Sequence, residues 1–187
     1  MGVKDTFFLD RNNAVLVVID VQEKLCRAMD QQVLARLAEN ITILQEAARE
    51  LGLPMVVTEQ YVKGLGETLP VLKERVTDQA LEKMTFSCCG DSAFLARLKE
   101  LGRKQVIITG METHVCVLQT VLELLDAGYT VHLVRDAVMS RCKGNWFTGT
   151  EMARAAGAVI TSTEAALFQL LRVAGTDEFK KLSKLVR

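Results

Sequence analysis

The chain has 187 residues, 49% of them hydrophobic, and Lys+Arg and Asp+Glu both number 23, so the formal net charge is +0. That length suits one domain around one sizeable core, expected to span residues 1–187. The balanced charge gives no electrostatic footprint for a nucleic-acid partner, and no charge-free apolar run reaches the ~20 residues of a membrane span.

Met1 to Arg11 has no apolar h-region after its lysine and no small-residue cleavage site, so no secretory signal is expected. Five cysteines (Cys26, Cys88, Cys89, Cys116 and Cys142) are odd in number and lack framework spacing. They read as reduced thiols in a cytoplasmic protein.

Ala14–Ile19 is a continuous β-branched run, as expected of a strand buried on both faces, and it ends abruptly at Asp20. A carboxylate at the end of a buried strand is costly without a partner or a task. Residues 31–51 place Leu34, Leu37, Ala38, Ile41, Leu44, Ala48 and Leu51 on one helical face, with Gly52 as the stop and Pro54 beyond it. Residues 55–58 form the second predicted strand. Residues 59–70 read as a polar loop carrying Gly64 and Gly66, long enough to wall an active site.

Residues 81–84 are a weak strand candidate, followed by a turn at 88–92 in which Asp91 or Ser92 can cap a helix. That helix places Phe94, Leu95, Leu98 and Leu101 on one face and stops at Gly102. Residues 105–109 form the next strand, and a turn at Gly110 leads into an amphipathic helix that starts near Cys116 and ends at Gly128. A strand at 129–134, a loop at 135–144, a helix at 145–156, a short strand at 158–160 and helices at 164–172 and 177–186 complete the chain.

Six strands alternating with helices predict an α/β fold: a three-layer α/β/α sandwich around a mostly parallel, six-stranded, Rossmann-like sheet. Ligands in such sheets bind at the carboxyl ends of the strands, near the switch in strand order. Asp20, the 59–70 loop, Lys83 and the 110–116 turn all lie at such ends and therefore belong to one rim.

Cys116 at a helix start would feel the dipole and the free N–H groups, which favour thiolate and can hold an oxyanion. Taken alone, it equally suits a buried core cysteine. A cysteine nucleophile needs a base. His132 lies mid-strand and reads as structural; His114, two residues from Cys116, is badly placed as an oriented base but can line a pocket. Asp20 is the carboxylate candidate, with Lys83 as the cation that holds it and lowers the thiol pKa. Gln22, Tyr61, His114 and Trp146 are the candidate substrate-binding residues.

Three segments in order, Val18-Ile-Asp-Val-Gln22, Lys83-Met-Thr-Phe-Ser87 and Gly110-Met-Glu-Thr-His-Val-Cys-Val117, resemble the isochorismatase-like cysteine hydrolase superfamily. Thr58–Gly66, Asp136–Arg141 and Gly157–Glu164 are similar to its small single-domain branch. The resemblance runs from about Asn13 to the C-terminus and implies a catalytic triad of Asp20, Lys83 and Cys116. It also implies a cis peptide between Met111 and Glu112, which would aim the Glu112 and Cys116 N–H groups into an oxyanion hole. The implied activity is hydrolysis of an amide or carbamoyl-type C–N bond in a small molecule, through a Cys116 thioester. The implied assembly is a homo-oligomer.

Two departures narrow this expectation. Metal-dependent members place an Asp and two His beyond the second strand, whereas Glu59–Glu67 holds no His; neither a metal nor another cofactor is expected. True isochorismatases act on a vinyl ether without a nucleophilic cysteine, so Cys116 speaks against that reaction. The alternative expectation is a catalytically silent binding or assembly protein on the same fold.

Overall fold

The computed structural model describes residues 2–76 and 78–186. Its six strands are β1 (Ala14–Ile19), β2 (Met55–Gln60), β3 (Leu81–Lys83), β4 (Gln105–Met111), β5 (Thr130–Met139) and β6 (Val159–Thr161). They form one sheet in the order β3-β2-β1-β4-β5-β6, every neighbouring pair parallel. This is the doubly wound α/β sandwich that the alternation of strands and helices predicts.

The helices are α1 (Val3–Phe7), α2 (Glu23–Arg27), α3 (Gln31–Leu51), α4 (Val62–Leu65), α5 (Pro70–Lys73), α6 (Ser92–Leu101), α7 (Leu118–Asp126), α8 (Lys143–Ala155), α9 (Thr163–Leu171) and α10 (Asp177–Leu182). Strand alternation divides the core. Leu16 and Val18 of β1 pack with Leu37, Ile41 and Leu44 of α3 and Leu170 of α9. Val15, Val17 and Ile19 pack on the opposite face with Phe94 and Leu98 of α6 and Val121 and Leu124 of α7. Each such aliphatic side chain, fully buried, contributes about 1.5–3 kcal/mol. Helix α3 starts where Asp30 accepts from the Gln32 and Val33 N–H groups, and stops at Gly52 with φ +69°.

Three stretches differ from expectation. Strand β5 continues to Met139 where a loop is expected from 135. It shifts register against β4 between Ile108 and Gly110, and the exposed pair Arg135 and Asp136 at that irregularity masks the strand in the sequence. The stretch 59–70 is not an open loop: β2 runs to Gln60, α4 follows, and α5 starts at Pro70. Gly110 is no turn residue but lies inside β4 with φ +112°, where a Cβ would sit 2.0 Å from the Ile19 carbonyl oxygen. Only glycine lets β4 approach β1 that closely.

The chain leaves β1 toward β2 on one side, while β4 lies on the other side of β1. The crevice beyond the carboxyl ends of β1 and β4 is thus the switch point of the sheet, and Asp20 and Met111 flank it.

Candidate active site

Asp20 directly follows β1 in a left-handed conformation, φ +52°, which is uncommon for a residue with a side chain. Its backbone N–H donates to the Thr58 carbonyl at 3.1 Å, and its own carbonyl accepts from the Gln22 N–H at 2.9 Å. The carboxylate is fully buried. The Thr58 hydroxyl donates to Oδ1 at 2.8 Å and Lys83 Nζ to Oδ2 at 2.7 Å. Both oxygens of this buried charge are therefore hydrogen-bonded, as a stable buried carboxylate requires.

Lys83 ends β3, and strand pairing sets it beside Gln60 at the end of β2. Its side chain is 1% exposed, and the ammonium also reaches Gln60 Oε1 and the Thr85 and Phe86 carbonyls. Thr58, Gln60 and Lys83 point to one face of the sheet. Glu59 and Glu82, one residue out of phase, line a cleft of about 490 Å³ on the other face.

Cys116 is 7% exposed and lies in a π-helical turn, Thr113–Val117, not in the first turn of an α-helix. The Glu112 carbonyl accepts from both the Val115 and Val117 N–H groups. The Met111–Glu112 peptide immediately before the turn is cis. Helix α8 presses on this turn so closely that a Cβ on Gly149 would meet the Thr113 carbonyl oxygen at 2.9 Å. The Glu112 carboxylate accepts from the Arg141 backbone N–H at 2.9 Å, fastening the turn to the end of β5.

Electrostatics correct one expectation. Burial pushes the Cys116 thiol far above the ordinary thiol range and the Asp20 charge pushes the same way; Lys83 opposes with less effect than either, and a hydrogen bond to Asp20 adds a smaller push upward. The resting group is a neutral thiol beside a carboxylate–ammonium pair, not a preformed thiolate. Cys88, behind Thr58 at 3.7 Å from its hydroxyl, is pushed up to about 11, mainly by burial.

The four candidate substrate-binding residues are placed differently. Gln22 is fully buried; its Nε2 donates to the Gln60 and Gly66 carbonyls and its Oε1 accepts from the Gln60 N–H. Both amide hydrogens are thereby engaged within the protein. Tyr61 is 44% exposed at the start of α4, with its ring over Gly64. His114 bridges Ser140 through Nδ1 at 3.0 Å and Asn145 through Nε2 at 3.2 Å. Trp146 donates its indole N–H to the Arg135 carbonyl at 3.3 Å and packs on the α7 side of the core.

Thr58 and Gln60, which hold Asp20 and Lys83, are not among the candidates from sequence. Their signal is the polar run Thr58-Glu-Gln60 at the end of an apolar strand that pairs with β1. Among the described residues, no group of three or more His, Cys, Asp or Glu side chains is arranged to hold a metal ion. No helix among them is long and apolar enough to cross a membrane.

The family model for the isochorismatase domain matches residues 14–165. The secreted isochorismatase effector Isc1 of Phytophthora sojae is 41% identical over 181 residues, covering 94% of this chain and 85% of that protein. Among solved structures, the MAR1 ribonuclease from Caenorhabditis elegans superposes with a TM-score of 0.88 at 36% identity, covering 96% of this chain and 92% of that one. YcaC from Pseudomonas aeruginosa, solved with hexane-2,5-diol and covalent acrylamide, superposes with a TM-score of 0.89 at 26% identity, covering 99% and 93%.

Proposed function

The chain belongs to the isochorismatase domain family, and we propose that it is a hydrolase that cleaves the C–N bond of a small amide or carbamoyl compound through Cys116, without a metal. The observation that carries this proposal is the buried constellation itself: a carboxylate, an ammonium and a thiol converging at the switch point of the sheet. A hydrolase needs a nucleophile, a base able to return its proton, and donors for the oxyanion.

In the proposed cycle Asp20 takes the thiol proton as Cys116 Sγ attacks the carbonyl carbon. The Glu112 and Cys116 backbone N–H groups receive the developing oxyanion. Asp20 passes the proton to the leaving nitrogen, the C–N bond breaks, and an amine or ammonia departs, leaving a thioester. Water then attacks with Asp20 as base; the sulfur leaves and recovers the proton. The products are a carboxylic acid, or carbamate from a carbamoyl group, and the amine. A thiol held neutral until substrate arrives fits this order, because Asp20 must be unprotonated at the start. Lys83 Nζ donates to its Oδ2 at 2.7 Å and holds the carboxylate in place.

The covalent acrylamide in the YcaC structure concerns that protein, and it recommends small primary amides as the first compounds to try here. The test is ammonia release from a panel of such amides and carbamoyl compounds by wild type, Cys116→Ala and Asp20→Asn. Release by wild type and loss in both variants supports the proposal; release that survives Cys116→Ala overturns it. RNA hydrolysis is a second reading, favoured by the name of the Caenorhabditis elegans neighbour. Cleavage of a labelled RNA, with no amide turned over, would establish it instead.

The proposed setting is the cytoplasm, where the five free cysteines remain reduced. The proposed assembly is a homo-oligomer, which light scattering of the purified protein tests directly.

A further inference from the structure

Lys83 Nζ has three hydrogens and four oxygens within reach: Asp20 Oδ2 at 2.7 Å, Gln60 Oε1 at 2.8 Å, the Phe86 carbonyl at 3.0 Å and the Thr85 carbonyl at 3.2 Å. No hydrogen of the ammonium remains for a substrate, so Lys83 acts on the chemistry through Asp20 and through its charge. Of the four acceptors, two are backbone and one is Asp20 itself. Gln60 is the only neutral side chain in the set.

The orientation of the Gln60 amide is fixed at both ends. Nε2 donates to the Met84 carbonyl at 2.9 Å, so Oε1 must face Lys83; the flipped amide would set N–H groups against the ammonium. The Gln60 backbone is held in turn by Gln22, which accepts from its N–H at 2.7 Å and donates to its carbonyl at 3.0 Å. The second hydrogen of the Gln22 amide goes to the Gly66 carbonyl at 2.6 Å. Gln22 therefore ties the end of β2 to the segment that follows α4.

We infer that Gln60, backed by Gln22, is a positioning residue whose neutral amide oxygen holds Lys83 against Asp20 while leaving the ammonium charge to Asp20 alone. The inference rests on the roles proposed above for Asp20, Lys83 and Cys116. A carboxylate in place of Gln60 would compete with Asp20 for Lys83 and offset the ammonium charge that draws the Cys116 thiol down. An apolar side chain there would leave the ammonium only Asp20 and the Thr85 and Phe86 carbonyls, and would loosen its aim.

The test is the pH dependence of Cys116 alkylation by iodoacetamide, read by site-resolved mass spectrometry, with thermal unfolding measured alongside. The proteins are wild type, Asp20→Asn, Gln60→Glu and Gln60→Met. In Gln60→Glu the Cys116 profile moves to higher pH by about one unit, an about tenfold slower reaction at a given pH. In Gln60→Met it moves the same way by less, and this variant carries the test where the added carboxylate prevents folding. In Asp20→Asn it moves to lower pH, because a group that raises the thiol has gone. If Asp20→Asn shifts the profile and both Gln60 variants overlay wild type, whatever their thermal stability, Gln60 has a structural role only and the inference is overturned while the hydrolase proposal stands. If Asp20→Asn leaves the profile unmoved as well, the role of Asp20 fails and the inference fails with it.

Discussion

Lys83 Nζ lies 2.7 Å from Asp20 Oδ2, with side chains 1% and 0% exposed. A pair so deeply buried has lost its hydration on both sides, and neither charge has another ion to turn to among the described residues. Removing one partner therefore costs more than removing both. Lys83→Met is expected to destabilise the fold by about 3–5 kcal/mol. The double variant Asp20→Asn with Lys83→Met is expected to recover part of that loss. Urea unfolding followed by circular dichroism measures both, and equal stabilities for the single and double variants would contradict the buried pair.

Stability is expected to decline on both sides of neutrality, for separate reasons. His132 is fully buried in β5, its ring nitrogens without a partner of good geometry although the Thr6 carbonyl lies near, and burial lowers its pKa to about 4. An unfolded histidine titrates near ~6.5. The unfolded chain thus gains a proton that the folded chain refuses. Stability is fully present above that pH and is lost as the pH falls toward 4, by up to about 3 kcal/mol. In His132→Leu the urea midpoint should vary less between pH 6.5 and 4.

The alkaline side is governed by thiols. Burial pushes Cys26 and Cys88 up to about 11 and Cys89 to about 12. Unfolded thiols ionise from about pH 9 while the folded ones stay protonated, so stability present below that pH is lost as the pH rises through 11. The slope of the urea midpoint against pH above 9 should be shallower in Cys26→Ala than in wild type.

Two glycines with positive φ should respond very differently to alanine. At Gly128, φ +80°, nothing lies within 4 Å of an added Cβ, so Gly128→Ala should cost only the left-handed penalty of about 1–2 kcal/mol. At Gly110 the added Cβ would meet the Ile19 carbonyl oxygen at 2.0 Å and the Ile19 nitrogen at 2.6 Å, between two central strands. Gly110→Ala should fail to fold, or separate β4 from β1 and displace Asp20. Thermal melts of the two variants side by side decide this.

The architecture is legible in the sequence because β1 is a pure apolar run, β4 carries the apolar run Val106–Ile108, and α3 and α6 carry a capping residue and a terminal glycine. Strand ends are less legible where polar residues continue a strand for the sake of the site. Thr58–Gln60 extend β2 beside Asp20 and Lys83, and Arg135–Asp136 sit exposed on an irregular β5. The convergence of Asp20, Lys83 and Cys116 could be inferred from strand polarity alone. The ionisation of Cys116 could not, since it depends on burial and on the distance to Asp20, neither of which is local. Gln22 shows the same limit: a polar residue after a strand end reads as a ligand contact, yet its amide is engaged by Gln60 and Gly66.

The most direct measurement is the intact mass of the protein, quenched in acid during turnover of whichever small amide releases ammonia in the panel. Attack by Cys116 on a carbonyl, with Asp20 carrying the proton, requires a thioester. The expected result is a mass increase equal to the acyl group, mapped by peptide analysis to Cys116 and absent in Cys116→Ser. Undiminished ammonia release by Cys116→Ser, with no covalent species in either protein, would contradict the mechanism at its first step.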